Sequence, residues 1–356
     1  INEYKKANAA LEPFAAADIL MPAGKRTLSQ WVKFANSLRL RLAIRVSMSA
    51  PDLARAEVAK AMDATAGGVL ESADETVAVS TESGYKNPLG TVNEGWGEVF
   101  MGATMESVLV GYNDPRLIKY YSKAEGGDIK DEKGNLIIAE RNKIAGTYKG
   151  VPQGTGVTVK DENRYRLHSK STITKQTDAI LMTAAEVWFL RAEAALRGFT
   201  SENVKDCYEK GITVSCQQWG VNVGDYLTSD ATPSDYVDAF EAKYDVKALI
   251  KVTPKWDGGA SPEEQLERIL TQKWIACYPE GYEAWTEQRR TGYPQLFKVF
   301  VNNSGGAIDT NIRIRRLPYP SDIQKNNPTQ YSALKKALGG EDNGGTRLWW
   351  DTGRNF

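Results

Sequence analysis

Apolar residues recur at spacings of three and four along several stretches of the chain, and this period predicts amphipathic helices. The clearest stretch runs from Leu28 to Ser47, where Ser29 is available as a helix cap. Pro51 lies near the first turn of a second helix that extends to about Ala66. Together the two stretches predict a helix pair over residues 28–66.

Two further helix pairs are predicted, over residues 179–219 and 261–290. In the earlier one, Ala179 to Leu196 is followed by Val204 to Trp219, and small alanines would let the two helices approach closely. In the later one, a capping box at Ser261 opens the first helix. The pairs look like tetratricopeptide units, although no strict repeat is visible.

Long irregular inserts separate these pairs, at about 70–176 and 220–257. A hairpin is predicted around Glu132–Asn135 in the first insert. Unstructured connections of this length are uncommon in compact domains unless they bind something. We therefore predict a mostly α fold, in which helix pairs form a single domain over residues 1–356, and take the first insert as the ligand surface.

The C-terminal stretch 313–351 is rich in proline, glycine and tryptophan, and its pattern predicts neither a helix nor a strand. Pro318 and Pro320 bias the residues before them toward an extended backbone. Two indoles left in water, Trp349 and Trp350, would promote aggregation. We expect an ordered tail folded onto the helices, with at least one of these indoles largely buried.

The charge balance argues against polyanionic partners. The 356 residues carry 45 Lys+Arg and 45 Asp+Glu, so no net field attracts nucleic acid or an anionic membrane surface. No stretch approaches the roughly 18 consecutive apolar residues of a membrane span. The start at Ile1 shows neither an initiator Met nor a signal peptide, so we expect the true N-terminus to be missing. The three cysteines lack metal-ligand spacing and are interpreted as buried thiols.

Few residues offer catalytic or cofactor chemistry. His168 is the single histidine, so a histidine metal site or a Ser-His-Asp triad would depend on it alone. The chain has no Gly-x-Ser-x-Gly elbow and no glycine loop that opens a helix toward a phosphate. Asp128, Asp131 and Asn135 crowd one turn, but their spacing departs from that of a calcium loop and favours a hairpin. We predict no metal and no cofactor.

Glu94 and Glu98 flank Trp96 and give the strongest enzymatic alternative, a glycoside hydrolase. Such an enzyme needs two carboxylates on either side of the scissile bond. Gly95 and Gly97 make a regular helix or strand doubtful here. We interpret the two carboxylates as solvated loop residues.

The aromatic residues divide into two groups. Trp31, Trp188 and Trp274 lie at helical spacing in apolar stripes and are assigned to packing. Others lie in loops rich in Gly and Asn, where an aromatic face can stack on a sugar ring or a peptide side chain. Trp96 is the best single candidate because its glycine neighbours leave the indole accessible. The predicted ligand-binding residues are Trp96, Tyr85, Asn87, Tyr148, Arg164 and Tyr165.

Several motifs resemble the SusD/RagB family of nutrient-binding outer-membrane lipoproteins of Bacteroidota. They are the Leu-Arg-Ala-Glu-Ala run at 190–194, Trp285 with the segment 289–294, and Arg-Leu-Trp-Trp-Asp at 347–351 after a Gly-rich turn. The resemblance also treats Asp114-Pro115-Arg116 as a landmark of structural use. It implies an N-terminal lipid anchor, missing from this chain, and additional N-terminal helices.

The resemblance implies a cell-surface lipoprotein of the outer membrane. Its expected partners are a glycan or oligopeptide ligand and a SusC-like, TonB-dependent barrel to which the ligand is delivered. No catalysis is expected. A glycoside hydrolase and a helical-repeat scaffold that binds other proteins are the alternatives, and the residues do not choose between glycan and peptide.

Overall fold

Helices make up most of the regular structure, which confirms the predicted fold class. The computed structural model of the chain describes residues 12–131, 133–137, 139–156 and 164–356. Within these residues the helices are, in chain order, α1 (Leu28–Arg45), α2 (Pro51–Ala61), α3 (Pro88–Gly90), α4 (Ala103–Gly111), α5 (Leu117–Tyr120), α6 (Ala184–Leu196), α7 (Val204–Gln218), α8 (Pro262–Ala276), α9 (Gly281–Thr291), α10 (Ser321–Asn326) and α11 (Pro328–Leu338). Two strands, β1 (Val77–Val79) and β2 (Ala179–Met182), form an antiparallel two-stranded sheet.

The predicted helix pairs correspond to α1 with α2, α6 with α7, and α8 with α9. Helix α6 is central to their packing, since it contacts α7, α8 and α1. Gly211 of α7 allows a close approach, because a Cβ at this position would lie 2.8 Å from the ring of Phe189 on α6. Leu40 and Ile44 of α1 are fully buried in the same core. The alternating large and small side chains fit the close packing expected of paired helices.

Side-chain caps define where the main helices begin. The Thr27 hydroxyl accepts a hydrogen bond from Gln30 N at 3.2 Å, so the cap of α1 is Thr27 and the prediction of Ser29 was wrong. The predicted capping box of α8 is present. Ser261 Oγ accepts from Glu264 N at 3.3 Å, and the Glu264 carboxylate accepts from Ser261 N at 3.0 Å.

The stretch 179–182, predicted as the start of a helix, is strand β2. It pairs with β1 at Val77↔Met182 and Ala78↔Ile180, which brings the two ends of the first insert together. Helix α6 starts only at Ala184, because the Thr183 hydroxyl caps it by accepting from Glu186 N at 3.1 Å. Helical spacing in an apolar run did not distinguish a short strand from the helix that follows it.

The first insert contains more regular structure than its pattern predicts, including α3, α4 and α5. The hairpin near residue 134 is confirmed by an antiparallel bridge between Lys130 and Leu136. The strand-like run Val157–Val159 lies outside the described residues. In the second insert, Tyr236 and Val246 form a similar bridge.

Asp114 and Arg116, which come just before α5, form a fully buried ion pair. The Arg116 guanidinium donates to both Asp114 carboxylate oxygens, at 2.9 and 2.6 Å. It also donates to Ser215 Oγ at 3.0 Å and to Gln272 Oε1 at 2.9 Å, which connects the insert to α7 and α8. Tyr226 OH donates to the same carboxylate at 2.7 Å. The structural role expected for this motif is consistent with these contacts.

The C-terminal tail is ordered but differs from the prediction in two respects. It contains helices α10 and α11, and Pro328 occupies the first turn of α11 while the Asn327 side chain accepts from Gln330 N at 3.0 Å. Trp349 is 68% exposed, so the expected burial of an indole fails for this residue. Trp350 is partly buried, with its ring 5.0 Å from the Arg289 guanidinium.

Buried ion pairs hold the tail together, and Arg289 connects it to the helical body. Arg315 pairs with Asp351 at 2.6 Å, and Arg316 pairs with Asp342 at 2.5 Å. The Arg289 guanidinium on α9 donates to Arg315 O at 2.6 Å. All five of these residues except Arg289 belong to the tail itself, so the tail is a charged, internally bonded layer.

Cys207, Cys216 and Cys277 are buried free thiols, as predicted. No helix in the described part of the chain combines the length and apolar character needed to cross a bilayer.

Candidate functional site

A cavity of about 690 Å³, which we call the aromatic cavity, opens among the described residues. Its volume falls in the range of small-ligand sites, roughly 300 to 1,000 Å³. It lies between the start of α4, helices α8 and α9, and the segment that connects α9 to the tail. Its main lining residues are Thr104, Met105, Tyr121, Gln153, Trp274, Trp285, Gln288, Phe297, Val299, Val301, Asn303, Asp309 and Arg313.

Two indoles form part of the wall of the aromatic cavity. Trp285 on α9 is fixed on two sides, because its N–H donates to Ile314 O at 3.1 Å and the Arg289 guanidinium lies 3.6 Å from its ring centroid. Trp274 on α8 also packs against the main core. Its indole N–H donates to no residue in the described ranges. The prediction that Trp274 serves packing alone was incomplete, since one side of this residue faces the cavity.

Unused polar groups line the same cavity. Gln288 on α9 is 8% exposed, yet its side-chain amide makes no hydrogen bond to any described residue. The amide of Asn303 is exposed and equally without a described partner. Buried polar groups are normally hydrogen-bonded, so a nearly buried amide that faces open volume is suited to meet a ligand or water.

Arg313 is a charged lining residue with an unusual backbone. Its φ of 62° is in the left-handed region, which non-glycine residues rarely occupy and which is enriched at functional sites. A hydrogen bond from Arg313 N to Asp309 O at 2.8 Å closes the turn. The guanidinium donates to Gln153 Oε1 at 3.2 Å and to Phe297 O. Burial lowers the pKa of Arg313.

A smaller cavity of about 480 Å³ adjoins the aromatic cavity, and Gly281 and Trp285 line both. Tyr282, which lines the smaller cavity, is 76% exposed. The start of α9 is held by the Glu280 carboxylate, which accepts from Tyr282 N and Glu283 N at 3.1 Å each. This cap fixes the helix that carries Trp285.

Three of the six predicted site residues are buried or ion-paired, and their part in binding stays a prediction. Asn87 is buried, donates to Thr177 O at 3.0 Å and accepts from Leu89 N at 3.0 Å. Tyr165 is only 1% exposed and contacts the rings of His168 and Phe240. Arg164 is ion-paired with Glu241. These side chains are occupied by protein contacts, a role that loop composition did not reveal.

The other three predicted site residues keep exposed surface. Trp96 is 54% exposed in a π-helical stretch, Thr91–Trp96, that continues from α3. Tyr85 is half-buried, and Tyr148 is half-buried against the main core. None of the three lines the aromatic cavity. The prediction that Trp96 stacks on a ligand therefore stays a prediction, for a surface outside that cavity.

Glu94 and Glu98, the carboxylates of the hydrolase alternative, are both exposed. The Glu94 carboxylate accepts from Lys175 N at 2.7 Å. This hydrogen bond connects the stretch Thr91–Trp96 to the other end of the first insert, so the Glu94 carboxylate has a structural role.

His168 is buried, and its burial makes stability depend on pH. It is 1% exposed, and neither ring nitrogen has a hydrogen-bond partner within the described residues. Burial, with help from nearby Lys149, lowers its pKa to about 3. An unfolded histidine takes up its proton near pH ~6.5, so acidification favours the unfolded chain until about pH 3.

We therefore expect wild-type stability to fall faster on acidification than that of His168→Phe. Below pH ~6 the free energy of unfolding of the wild type should fall by up to about 1.4 kcal/mol per pH unit more than that of the variant. Urea unfolding followed by circular dichroism at several pH values measures it. Because the chain has no other histidine, parallel curves for the two proteins would contradict the expectation.

Comparison with known proteins agrees with this architecture. The family model described as "Susd and RagB outer membrane lipoprotein" matches residues 2–351. Among solved structures, a SusD homologue from Bacteroides vulgatus is 50% identical with a TM-score of 0.85, and the match covers 100% of this chain and 71% of that chain. A chitin-binding SusD homologue from Flavobacterium johnsoniae is 35% identical with a TM-score of 0.86, covering 100% and 72%.

A SusD homologue from Bacteroides thetaiotaomicron is 32% identical with a TM-score of 0.83, and the match covers 99% of this chain and 73% of that chain. No curated protein matches the chain. The family model covers nearly the whole sequence, and the same helical fold recurs in structures that share up to half of its residues. The chain therefore belongs to the SusD/RagB family of outer-membrane lipoproteins.

Proposed function

We propose that this protein captures a glycan at the cell surface, without altering it, and delivers it to a SusC-like, TonB-dependent barrel. The observation that carries the proposal is the aromatic cavity, where two indoles meet unpaired amide groups. Indole faces stack on the apolar faces of sugar rings, and amides donate to and accept from hydroxyls. A chitin-binding homologue among the similar structures supports a glycan over a peptide.

The composition of the aromatic cavity favours binding over hydrolysis. Asp309 is the one carboxylate among its described lining residues, and its Oδ1 accepts from Asn311 N at 2.7 Å. Glycoside hydrolysis generally uses a pair of carboxyl groups on either side of the bond that breaks. A single carboxylate that caps a turn does not supply that pair.

Incubation with a panel of glycans and oligopeptides tests the proposal. Isothermal titration calorimetry should detect saturable binding of at least one glycan, and chromatography of the same mixture should recover that glycan intact. Release of shorter products would support the hydrolase alternative. If peptides bound and all glycans failed, the ligand class would be wrong.

Trp96 is expected to contribute a second, exposed contact to the ligand. If its indole is a stacking platform, Trp96→Ala should weaken glycan binding by on the order of 1 to 3 kcal/mol with little change in melting temperature. Trp349→Ala, at another exposed indole, is the matched control and should leave affinity unchanged. Unchanged affinity with a lowered melting temperature for Trp96→Ala would place this residue in the fold alone.

A further inference from the structure

We propose that the aromatic cavity selects glycans that carry a carboxylate, of the uronic acid class, and that Arg313 is the residue that binds the carboxylate. The inference rests on the proposed glycan-binding function and adds the chemical class of the ligand. It follows from a guanidinium that lines the cavity without a carboxylate partner.

The Arg313 guanidinium is bonded only to neutral acceptors, Gln153 Oε1 and Phe297 O. Three of its five N–H groups have no acceptor within the described residues, and no described carboxylate lies within ion-pair distance. The next arginines along the chain differ, since Arg315 and Arg316 are both paired with aspartates. Arg313 is therefore a partly desolvated positive charge with unused hydrogen-bond donors. A carboxylate can accept two parallel hydrogen bonds from such a guanidinium.

The position of this charge is fixed before any ligand arrives. The left-handed turn at Arg313 is closed by its N–H to Asp309 O at 2.8 Å, and Gln153 holds the guanidinium from the first insert. A side chain that is already immobilised loses less conformational entropy on binding. The strained φ of 62° is consistent with a conformation maintained for recognition.

Asp309 is the only negative charge among the described residues that line the aromatic cavity, and it does not neutralise Arg313. Its carboxylate is exposed and accepts from Asn311 N and Ile312 N at 2.7 and 3.4 Å. Because these backbone donors hold it in the turn, the Arg313 charge remains available. Asp309 also supplies a matched control of opposite sign, since asparagine can keep the same cap.

Flat surfaces beside the charge favour a sugar acid over a peptide carboxylate. Trp285 and Trp274 line the same cavity as Arg313, together with the unpaired amides of Gln288 and Asn303. A pyranose ring uses an aromatic face and several hydroxyl partners at once, while its carboxylate meets the guanidinium. A peptide with a free C-terminus is the competing ligand in the test.

The test compares each acid with its neutral ester. Trigalacturonate, trimannuronate and a non-sulfated chondroitin tetrasaccharide are titrated calorimetrically, each beside its methyl ester, into wild type, Arg313→Gln and Asp309→Asn. We expect at least one acid to bind wild type roughly tenfold more tightly than its ester. Arg313→Gln should remove this preference and leave ester binding within about twofold, while Asp309→Asn should keep or increase it.

Other outcomes overturn the inference in distinguishable ways. If glycans bind but no acid is preferred over its ester, the carboxylate assignment fails while the proposed function stands. If Arg313→Gln lost affinity for the acid and for the ester equally, Arg313 would support the structure of the cavity and would not bind the carboxylate. Preference for the tripeptide Ala-Ala-Ala over its C-terminal amide, with neither the acids nor their esters bound, would show that Arg313 binds a peptide carboxylate, and the proposed glycan function would fail as well.

Discussion

Replacing Arg116 with methionine is expected to lower the free energy of unfolding by about 3–5 kcal/mol, the cost of breaking a buried ion pair by removing one partner. Asp114 would be left with its charge in the core, and the hydrogen bonds to Ser215 and Gln272 would be lost as well. Urea denaturation followed by circular dichroism measures the change.

The double variant Asp114→Asn with Arg116→Met separates charge from packing. It removes both charges, and the amide at position 114 can still meet the hydroxyl of Tyr226. We expect it to be more stable than Arg116→Met alone, because the uncompensated carboxylate is gone. If the double variant were the less stable of the two, the buried charge of Asp114 would not be the source of the loss.

Trp285→Ala is expected to weaken glycan binding by on the order of 1 to 3 kcal/mol, or roughly ten- to a hundredfold. The indole is held rigidly by Ile314 O and the Arg289 guanidinium, so its open face needs no ordering when a sugar ring stacks on it. Titration calorimetry with the glycan found in the panel measures the effect. Trp349→Ala is the control, since this indole is exposed outside the cavity.

The same substitution should also reduce stability modestly, because Arg289 loses its aromatic neighbour. A lower melting temperature of Trp285→Ala is therefore compatible with a role in binding, provided the variant remains folded at the temperature of titration. Full affinity in folded Trp285→Ala would exclude the aromatic cavity as the binding site and favour the surface near Trp96.

Local signals account for the elements that the sequence predicted well. Helix α8 starts at its predicted capping box, where Ser261 and Glu264 satisfy each other's backbone donors. Helix α11 escaped prediction although Asn327 and Pro328 carry the same kind of signal, because the surrounding prolines and glycines dominated the interpretation. Strand β2 was missed because its pairing partner, β1, is remote in sequence.

The aromatic cavity could not be predicted because no single segment contains it. Gln153 comes from the first insert, Trp274 and Trp285 from two helices, and Arg313 from the start of the tail. The sequence around each residue is typical of a packed helix or of a loop, and only the folded chain brings these residues together. The prediction instead selected aromatics in glycine-rich loops, a rule that does not separate an exposed Trp96 from a buried Tyr165.

The pairing of β1 with β2 gives the chain a modular construction. The strands join Val77 to Met182, so the segment between them starts and ends at one place, although Tyr112 and Tyr120 within it are buried in the main core. Loop length costs little once the ends are fixed, since the entropy of closure grows only with the logarithm of length. The part of the segment that contains Ala124, Ile129 and Ile144 packs in a small cluster apart from the main core. An evolving lineage could therefore lengthen, shorten or exchange that part while the helix pairs continued to fold.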